Sequence, residues 1–210
     1  MEVGGTVGDI ESQPFLEALR QIKQDIGREN VFYVHLALLL ELPFSGEIKT
    51  KPIQHSIIKL REYGIIPDML IARTSKSMSS KIRDKISLFG DIPTDRIIEG
   101  KDVESIYEVP QTFYQQKAGR IILHYFGYKA KPKLTKWKKL VDKIKSPSKQ
   151  VNILLVGKYT KFKDTYASLL EALVHAGVAN DAKVNVIFLE SSDIEKNPAI
   201  LSQIIKEKKI

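Results

Sequence analysis

The chain has 210 residues, of which 43% are hydrophobic, and it carries a formal net charge of +8 at pH 7. This length and composition are typical of a globular protein with a buried core, and the lack of cysteine in the sequence excludes disulfides, thiolate metal sites and cysteine nucleophiles. No apolar run approaches the roughly 18 residues of a membrane helix and no basic-then-apolar leader opens the chain, so we expect a cytoplasmic protein without membrane contacts.

The net charge is concentrated in one stretch, residues 127–150. This stretch contains one acid, Asp142, and nine lysines, at positions 129, 131, 133, 136, 138, 139, 143, 145 and 149. The remaining residues balance to zero. A localised lysine-rich stretch without a repeating aromatic platform favours a solvated linker over a nucleic-acid surface. Binding of RNA or DNA through these lysines stays open as an alternative.

Residues 2–11 form an acidic glycine loop with three glycines and three carboxylates. Glycines at positions 4, 5 and 8 let the backbone approach a ligand closely. Glu2, Asp9 and Glu11 offer oxygen atoms of the kind that Mg²⁺ and ribose hydroxyls prefer. The same pattern also occurs in a plain connection before a helix, and the chain contains no G-x-x-x-x-G-K-[ST] motif. From the residues alone, both interpretations stay open.

A helix and a strand are predicted after this loop. Ser12 is the expected N-cap of a helix that Gly27 ends, and its apolar stripe consists of Phe15, Leu19, Ile22 and Ile26. Residues 31–42 are almost continuously apolar, which predicts a buried strand of a parallel sheet, in one or two pieces. His35 lies in this run and is interpreted as a hydrogen-bonded core residue rather than a ligand.

Two lysines stand just before the second predicted helix, which begins at Pro52 and ends at Gly64. Lys49 and Lys51 would place two cations beside the positive end of this helix, where a triphosphate could bind. Solvated loop lysines would show the same spacing. The inner face of the helix is predicted to consist of Ile53, Ile57 and Leu60.

Strands and helices continue to alternate along the chain. Strands are predicted at residues 68–72 and 96–98, and helices from 110 to 126 and around Ile82, Ile86 and Phe89. Buried strands that alternate with amphipathic helices predict an α/β fold with a parallel sheet.

A second strand and helix series is predicted from the lysine-rich stretch onward. A short helix at residues 134–144 would carry Trp137, Leu140 and Ile144 on one face. Strands are predicted at 151–156 and 183–189. A helix is predicted after each strand, the second at 198–205 and the first with Tyr166, Leu169, Leu170 and Leu173 packed inward and Gly177 as its cap.

Three motifs of the chain resemble the CTP synthase family, the glutamine-dependent amidoligases that make CTP from UTP. They are the run EVGGTVGDIES at residues 2–12, the helix start QPFLEA at 13–18 and the segment GEIKTKP at 46–52. The motifs are long and their order agrees with the family. The resemblance extends from residue 2 to about residue 192 and covers only the middle of such an enzyme.

The resemblance implies three segments. Residues 1–126 would be the C-terminal part of a parallel-sheet, P-loop-like synthetase (amidoligase) domain that is incomplete, and 127–150 would be the interdomain linker. Residues 151–210 would begin a flavodoxin-like class I glutaminase (glutamine amidotransferase) domain. The family's P-loop and glutaminase nucleophile lie outside the match, so no catalytic residue is expected here. We expect a fragment that is inactive alone, with apolar residues exposed beside a missing central strand.

In the reaction that the resemblance implies, ATP phosphorylates the 4-oxygen of UTP and ammonia from glutamine displaces the phosphate. Such a reaction needs cations, a metal carboxylate and backbone donors. The positions that match the family's UTP and CTP site are Asp9, Ile10, Glu11, Lys49, Thr50, Lys51, Pro52, Ile53, Gln54 and Lys85. At position 53 the family pattern has threonine, so no hydroxyl contact is expected there. Without the resemblance, Lys85 would be interpreted as a surface lysine.

Other positions match the family's ATP and metal sites. Lys101, Asp102 and Val103 correspond to the segment beside the adenine pocket, which the residues alone would predict as a strand-end turn. Arg73 lies just past a strand, where α/β folds bind ligands. Glu2 corresponds to a Mg²⁺ carboxylate.

The resemblance also implies a homotetramer whose UTP site is built across subunits. The acidic glycine loop and the lysine pair are expected to meet around one pyrimidine triphosphate. A non-catalytic interaction module that joins its relatives through the same surfaces is the alternative from a different class of function.

Overall fold

The computed structural model describes residues 1–210, apart from the side chain of Lys163. The chain divides into two compact units, Met1–Lys133 and Leu134–Ile210. The division falls within the lysine-rich stretch, so the two ends of that stretch belong to different units.

The first unit contains most of the sheet structure. Its strands are β1 (Val34–Leu38), β2 (Leu40–Glu41), β3 (Ile48–Lys49), β4 (Met69–Thr74) and β5 (Ile97–Lys101). Its helices are α1 (Gln13–Asp25), α2 (Lys51–Glu62), α3 (Ser80–Gly90), α4 (Val109–Gln115) and α5 (Ala118–Tyr125).

Three of these strands form a parallel sheet in the order β1-β4-β5, while β2 and β3 pair as an antiparallel ribbon. His35 lies opposite Leu70, and Leu70 lies opposite Ile97. Because the three strands are parallel, their carboxyl ends lie at one edge of the sheet. The predicted α/β class with a parallel sheet is confirmed.

Helices cover both faces of β4 and β5. On one face, Ile57 of α2, Leu70 of β4 and Ile86 of α3 are fully buried, at 0% exposure. On the other face, Ile98 of β5 packs with Ala118 of α5. Neighbouring residues of a strand point to opposite faces, which is why one strand serves both cores. Each such aliphatic side chain contributes about 1.5–3 kcal/mol on burial.

Strand β1 is an edge strand of the sheet, and only one of its two faces is buried. The apolar run of residues 31–42 does form two pieces, but the expectation of a buried strand is wrong for one face. Val34, Leu36 and Leu38 are 44%, 64% and 58% exposed, because α4 and α5 pack on β4 and β5 and leave β1 uncovered. Apolar residues are therefore exposed on this face of β1, while the expectation that a central strand is missing stays a prediction.

His35 occupies the covered face of β1. Its side chain is buried, and Nε2 lies 2.8 Å from the hydroxyl of Ser56 on α2. Burial lowers the pKa of His35, because the charged imidazolium loses its hydration. The prediction of a hydrogen-bonded core histidine is confirmed.

Three local predictions in the first unit need correction. The hydroxyl of Ser12 donates to the Asp9 carbonyl at 2.9 Å and does not cap α1 with its side chain. Phe89 is 52% exposed and does not join the core. The single helix predicted for residues 110–126 is two helices, because Lys117 adopts a left-handed φ of 63° between α4 and α5.

The second unit is built around a parallel pair of strands, in which Val151 lies opposite Val184. Its elements are α6 (Thr135–Lys145), β6 (Lys149–Gly157), α7 (Ala167–Asn180), β7 (Ala182–Glu190), α8 (Ser191–Lys196) and α9 (Ala199–Lys208). The predicted short helix within the lysine-rich stretch is thus present as α6. The sequence did not predict α8.

Gly177 is a packing residue and not the cap that the sequence predicted. It lies inside α7, where an added Cβ would stand 2.4 Å from the Ala182 carbonyl oxygen. The left-handed residue that ends α7 is Asp181, with φ 54°. Glycine at position 177 therefore lets α7 pack closely on β7.

The carboxyl ends of β6 and β7 are tied together by one acid. Glu190 accepts hydrogen bonds from the backbone N–H groups of Tyr159 and Thr160 at 3.0 and 2.9 Å. The hydrogen bonds that Thr160 donates, chiefly from its backbone N–H and then from its hydroxyl, lower the pKa of the Glu190 carboxyl.

Across the described residues of both units, none of the helices has the length and apolar character needed to cross a bilayer.

Candidate functional site

A cavity of about 470 Å³ opens at the carboxyl edge of the parallel sheet. This carboxyl-edge cavity is lined by residues 36–41, 73–75 and 102. Its walls are the ends of β1 and β4 and the turn after β5. Ligands of open α/β sheets commonly bind outside the carboxyl ends of the strands, so the cavity is a candidate binding site.

An arginine and a carboxylate face each other at this edge. Arg73 Nε lies 3.4 Å from Asp102 Oδ1, and the two side chains are 68% and 57% exposed. The strand register creates the pair, because Thr74 lies opposite Lys101 and the Asp102 N–H donates to the Thr74 carbonyl at 2.9 Å. The structure therefore brings Arg73 together with Lys101 and Asp102, which the sequence analysis placed in a separate segment.

A second acid at the same edge was not predicted. Glu41 pairs with Lys76 and accepts a hydrogen bond from the Ser75 hydroxyl at 2.7 Å. The bond from Lys76, and after it the bond from Ser75, lowers the pKa of the Glu41 carboxyl. The sequence could have indicated this acid by its position, since Glu41 and Ser75 both stand at strand ends of an α/β pattern.

The loop after β4 is held in place by polar contacts, two of which are partly buried. The Met78 N–H donates to Glu99 Oε2 at 2.7 Å, and the Thr74 hydroxyl donates to the Lys76 carbonyl at 2.8 Å. Lys101 Nζ reaches the Ser77 hydroxyl at 3.4 Å. These contacts give the cavity a preformed wall. Val103 follows as a half-buried residue.

The lysine pair lies beside the β2–β3 ribbon. Lys49 pairs with Glu47 at 2.7 Å, and its backbone lies opposite Leu40, which lines the carboxyl-edge cavity. Lys51 is exposed and begins α2, followed by exposed Pro52. The two lysines therefore stand on the side of the molecule where the positive end of α2 emerges.

Three of the predicted pyrimidine-site residues have buried side chains. Ile53 is 0% exposed and belongs to the core. Thr50 and Gln54 are 4% and 8% exposed, and Gln54 Nε2 donates to Thr50 Oγ1 at 3.1 Å. In this arrangement they shape the start of α2, and a ligand there would meet Lys49, Lys51 and backbone groups. Lys85 lies on the exposed side of α3.

The acidic glycine loop surrounds a cavity of about 500 Å³, which Glu2, Asp9 and Glu11 all line. Asp9 closes a turn, because its Oδ2 accepts from the Thr6 N–H at 2.7 Å. Glycine is required at position 5, where φ is +83° and an added Cβ would stand 2.8 Å from Asp9 Oδ2. Ile10 is 79% exposed.

The acidic glycine loop and the lysine pair lie at opposite ends of α2 within one copy of the chain. Val3 and Val7 pack near Leu60, and a Cβ on Gly8 would lie 3.5 Å from Lys59 Cε. Both contacts involve the last turns of α2, whereas Lys51 begins it. Eight residues at 1.5 Å per residue separate Lys51 from Lys59 by about 12 Å along the helix axis.

The acidic glycine loop has the donor chemistry for Mg²⁺ but not a complete metal cage. Its three exposed carboxylates are hard oxygen ligands. Among the described residues, no group of three or more histidine, cysteine or acidic side chains is arranged to hold a metal ion. Mg²⁺ often uses one or two protein carboxylates together with phosphate oxygens. The loop therefore fits a metal that is shared with a nucleotide.

The fold and the carboxyl-edge cavity define an α/β protein of the class that binds ligands at the ends of parallel strands. The family model for the CTP synthase N-terminus matches residues 1–128, and the chain therefore belongs to the CTP synthase family.

Curated relatives extend the match beyond residue 128. CTP synthase of Methanocaldococcus jannaschii is 47% identical over 196 residues, covering 93% of the chain and 36% of the relative. CTP synthase of Methanococcus maripaludis is 45% identical over 213 residues, covering 100% and 40%. CTP synthase of Listeria innocua is 46% identical, covering 93% and 37%. The chain thus spans between one third and two fifths of the length of these relatives.

Proposed function

We propose that the protein is part of a cytoplasmic CTP synthase, which aminates UTP to CTP with ATP and with glutamine or ammonia as the nitrogen source. The observation that carries the proposal is the identity of 45–47% to CTP synthases of two methanogens over at least 93% of the chain. The preformed cavity at the carboxyl edge of the sheet supports it. The chain itself would bind nucleotides without turning them over, since it holds neither a P-loop motif nor a cysteine.

The ATP side of the site is proposed at the carboxyl edge. Lys101, Asp102 and Val103 would border the adenosine, and Arg73 would offer its guanidinium to phosphate oxygens. The Arg73 guanidinium is already oriented by Asp102 at 3.4 Å. Because the pair is well exposed, a phosphate can replace the carboxylate as the partner of Arg73 at little cost.

The pyrimidine side is proposed to be shared by two copies of the chain. Lys49 and Lys51 would neutralise a triphosphate at the start of α2, and the backbone there would add donors. Asp9, Ile10 and Glu11 of a second copy would hold the sugar and the base. The two segments lie at opposite ends of α2 within one copy, and a homotetramer in which copies complete each other's sites would bring them together around one nucleotide.

Magnesium would enter this site with the nucleotide. Glu2 is the residue proposed to hold it, and Mg²⁺ would supply neutralisation of phosphate charge. The protein groups contribute position and charge, which are the main requirements of phosphoryl transfer.

The second unit is proposed to begin a class I glutaminase domain that would deliver ammonia. Support comes from the parallel β6–α7–β7 arrangement and from the relatives whose alignment covers 93–100% of the chain. The residues from 127 to 150 would connect this domain to the synthetase part.

Calorimetric titration of the full chain with CTP and Mg²⁺ tests the pyrimidine site. We expect Glu11→Ala and Lys51→Ala each to weaken binding about 10- to 150-fold, because each removes a charged contact worth about 1.5–3 kcal/mol. Asp25→Ala and Lys81→Ala are matched controls on exposed positions outside the site. An absence of heat with the wild type, or equal heat for site and control variants, would contradict the proposal.

Mixing the two site variants tests whether two copies share the site. In a pair with one Glu11→Ala copy and one Lys51→Ala copy, one of the two sites is intact. Random pairing should therefore restore about a quarter of the wild-type sites. If both variants fold and associate like the wild type but the mixture binds no better than either alone, the shared site is wrong.

A further inference from the structure

A cavity of about 850 Å³ lies at the opposite end of the sheet from the carboxyl-edge cavity. This amino-edge cavity is lined by residues 83, 94–98, 115–117, 120–121, 124–125 and 128–131. It sits where β5 begins, whereas Asp102 follows the end of β5. Its volume is in the range of small-molecule sites, about 300–1,000 Å³.

The lysine-rich stretch supplies one wall of this cavity. Gly127, with φ +75°, ends α5, and the Tyr128 N–H donates to the Leu123 carbonyl at 2.8 Å. This pattern reverses the chain at a helix end. The reversed segment runs back along α5, since a Cβ on Gly119 would lie 3.6 Å from Pro132 Cγ. The first residues of the stretch are therefore part of the folded unit.

The rim of the cavity is strongly cationic. One carboxylate, Asp95, lines it together with six lysines and arginines: Arg83, Arg96, Lys117, Arg120, Lys129 and Lys131. Within the described residues, none of the six forms an ion pair with a carboxylate. Concentrated unpaired charge around a concave apolar surface raises the local concentration of anions.

The floor of the cavity is apolar and rigid. Ile98, which is 1% exposed at the start of β5, lies beneath the cavity, and half-buried Ile121 of α5 packs beside it. The hydroxyl of Tyr125 donates toward the Val31 carbonyl at 2.9 Å, which fixes its ring. Burial raises the pKa of the Tyr125 hydroxyl above its ordinary value. The floor thus offers aliphatic and aromatic surface within reach of the cationic rim.

We propose that the amino-edge cavity binds a small polyanion with a planar apolar body, of the nucleoside phosphate class, at a site separate from the carboxyl edge. Arginine and lysine side chains would bind the phosphates. The accessible apolar surface of Ile121, Tyr125 and Tyr128 would hold the base. A concave site of this size accommodates a mononucleotide better than a duplex, whose phosphates need an extended track.

The test uses the full 210-residue chain with Arg73→Ala and Asp102→Ala in place, so that the carboxyl edge no longer contributes. Fluorescence anisotropy with a fluorescent ATP analogue should still report saturable binding, which unlabelled ATP displaces. Adding Arg120→Ala or Lys131→Ala should weaken it about tenfold each. Both side chains are exposed, so circular dichroism should show an unchanged fold. Inorganic triphosphate should compete less well than ATP because it lacks the apolar body.

Two results would overturn the proposal. One is a lack of saturable binding on the Arg73→Ala, Asp102→Ala background. The other is binding that Arg120→Ala leaves unchanged. A matched pair, Lys136→Ala and Lys139→Ala, removes charge from the same stretch outside the cavity and should have no effect. If these variants weaken binding as much as Arg120→Ala does, and single-stranded RNA binds more tightly than ATP, the surface is a nucleic-acid track instead.

Discussion

The two edges of the parallel sheet handle positive charge differently. At the carboxyl edge, Arg73 faces Asp102 and Lys76 faces Glu41, so both of these cations already have a carboxylate. At the amino edge, six cations share one acid, Asp95. A ligand at the carboxyl edge must therefore exchange with existing pairs and will be selected by geometry. A ligand at the amino edge meets an unbalanced field and will be selected first by charge.

The largest effect on both edges is expected from a substitution that destabilises the hydrophobic core between them. Ile57→Ala deletes a side chain that is 0% exposed between α2, α3 and the sheet, and it should lower the free energy of unfolding by about 2–5 kcal/mol. Urea denaturation measures the change. Ile58→Ala is the matched control, since Ile58 is 47% exposed and should cost below about 1 kcal/mol. Equal effects of the two substitutions would contradict the buried face of α2.

Salt separates the two edges directly. Raising the ionic strength from about 0.05 M to about 0.5 M shortens the Debye length severalfold and screens exposed charges. Anion binding at the amino edge should weaken by about tenfold, because several unpaired cations contribute. Binding at the carboxyl edge should change less. Anisotropy titrations on an Arg120→Ala, Lys131→Ala chain and on an Arg73→Ala, Asp102→Ala chain report mainly the carboxyl edge and the amino edge, respectively, and identical salt slopes would remove the distinction.

Lowering the pH tests the buried His35 of β1, which lines neither cavity. Burial lowers the folded-state pKa of His35 below the unfolded value of about 6.5, so the unfolded chain takes up a proton first as the pH falls. The contribution of neutral His35 to stability is therefore present above about pH 6.5 and is lost as the pH falls toward the folded pKa. Urea midpoints from about pH 7.5 to about pH 5 should fall less for His35→Gln than for the wild type. A larger fall in the variant would contradict this sign.

The smallest effect is expected at the carboxyl edge itself. Asp102→Asn removes the charge that faces Arg73, and an exposed pair of this kind contributes about 0–1 kcal/mol. The free energy of unfolding should therefore change by less than about 1 kcal/mol, while the dissociation constant for ATP should change measurably. Thermal melts and ATP titrations of the same samples test both statements. A stability loss as large as that of Ile57→Ala would mean that the pair is structural.

Helical periodicity predicted the parts of the fold that depend on one chain segment. Ile53, Ile57 and Leu60 recur on one face of α2 and are buried as expected. Phe89 continues the same kind of pattern on α3 yet is exposed, because periodicity defines a face but not what packs against it. Gly177 resembled a helix cap, but the approach of Ala182 from β7 decided its role.

The candidate sites were less predictable, because distant residues form them. Arg73 and Asp102 were each expected near ATP, but their contact depends on the register of β4 and β5. The amino-edge cavity joins residues from 83 to 131, and only the reversal at Gly127 brings the last of them back. In the sequence, the glycine directly after an apolar helix could have indicated this reversal of the chain. The buried side chains of Thr50 and Gln54 likewise could not be foreseen from a matching motif.

The exposed row of Val34, Leu36 and Leu38 on β1 bears on how the isolated protein behaves in solution. An outer strand with apolar side chains and unsatisfied backbone groups can recruit the same strand from another molecule. Light scattering of purified samples should therefore rise steeply with protein concentration. The substitution Leu36→Lys should reduce this aggregation, because a charge on an edge strand disfavours pairing with a strand of another molecule.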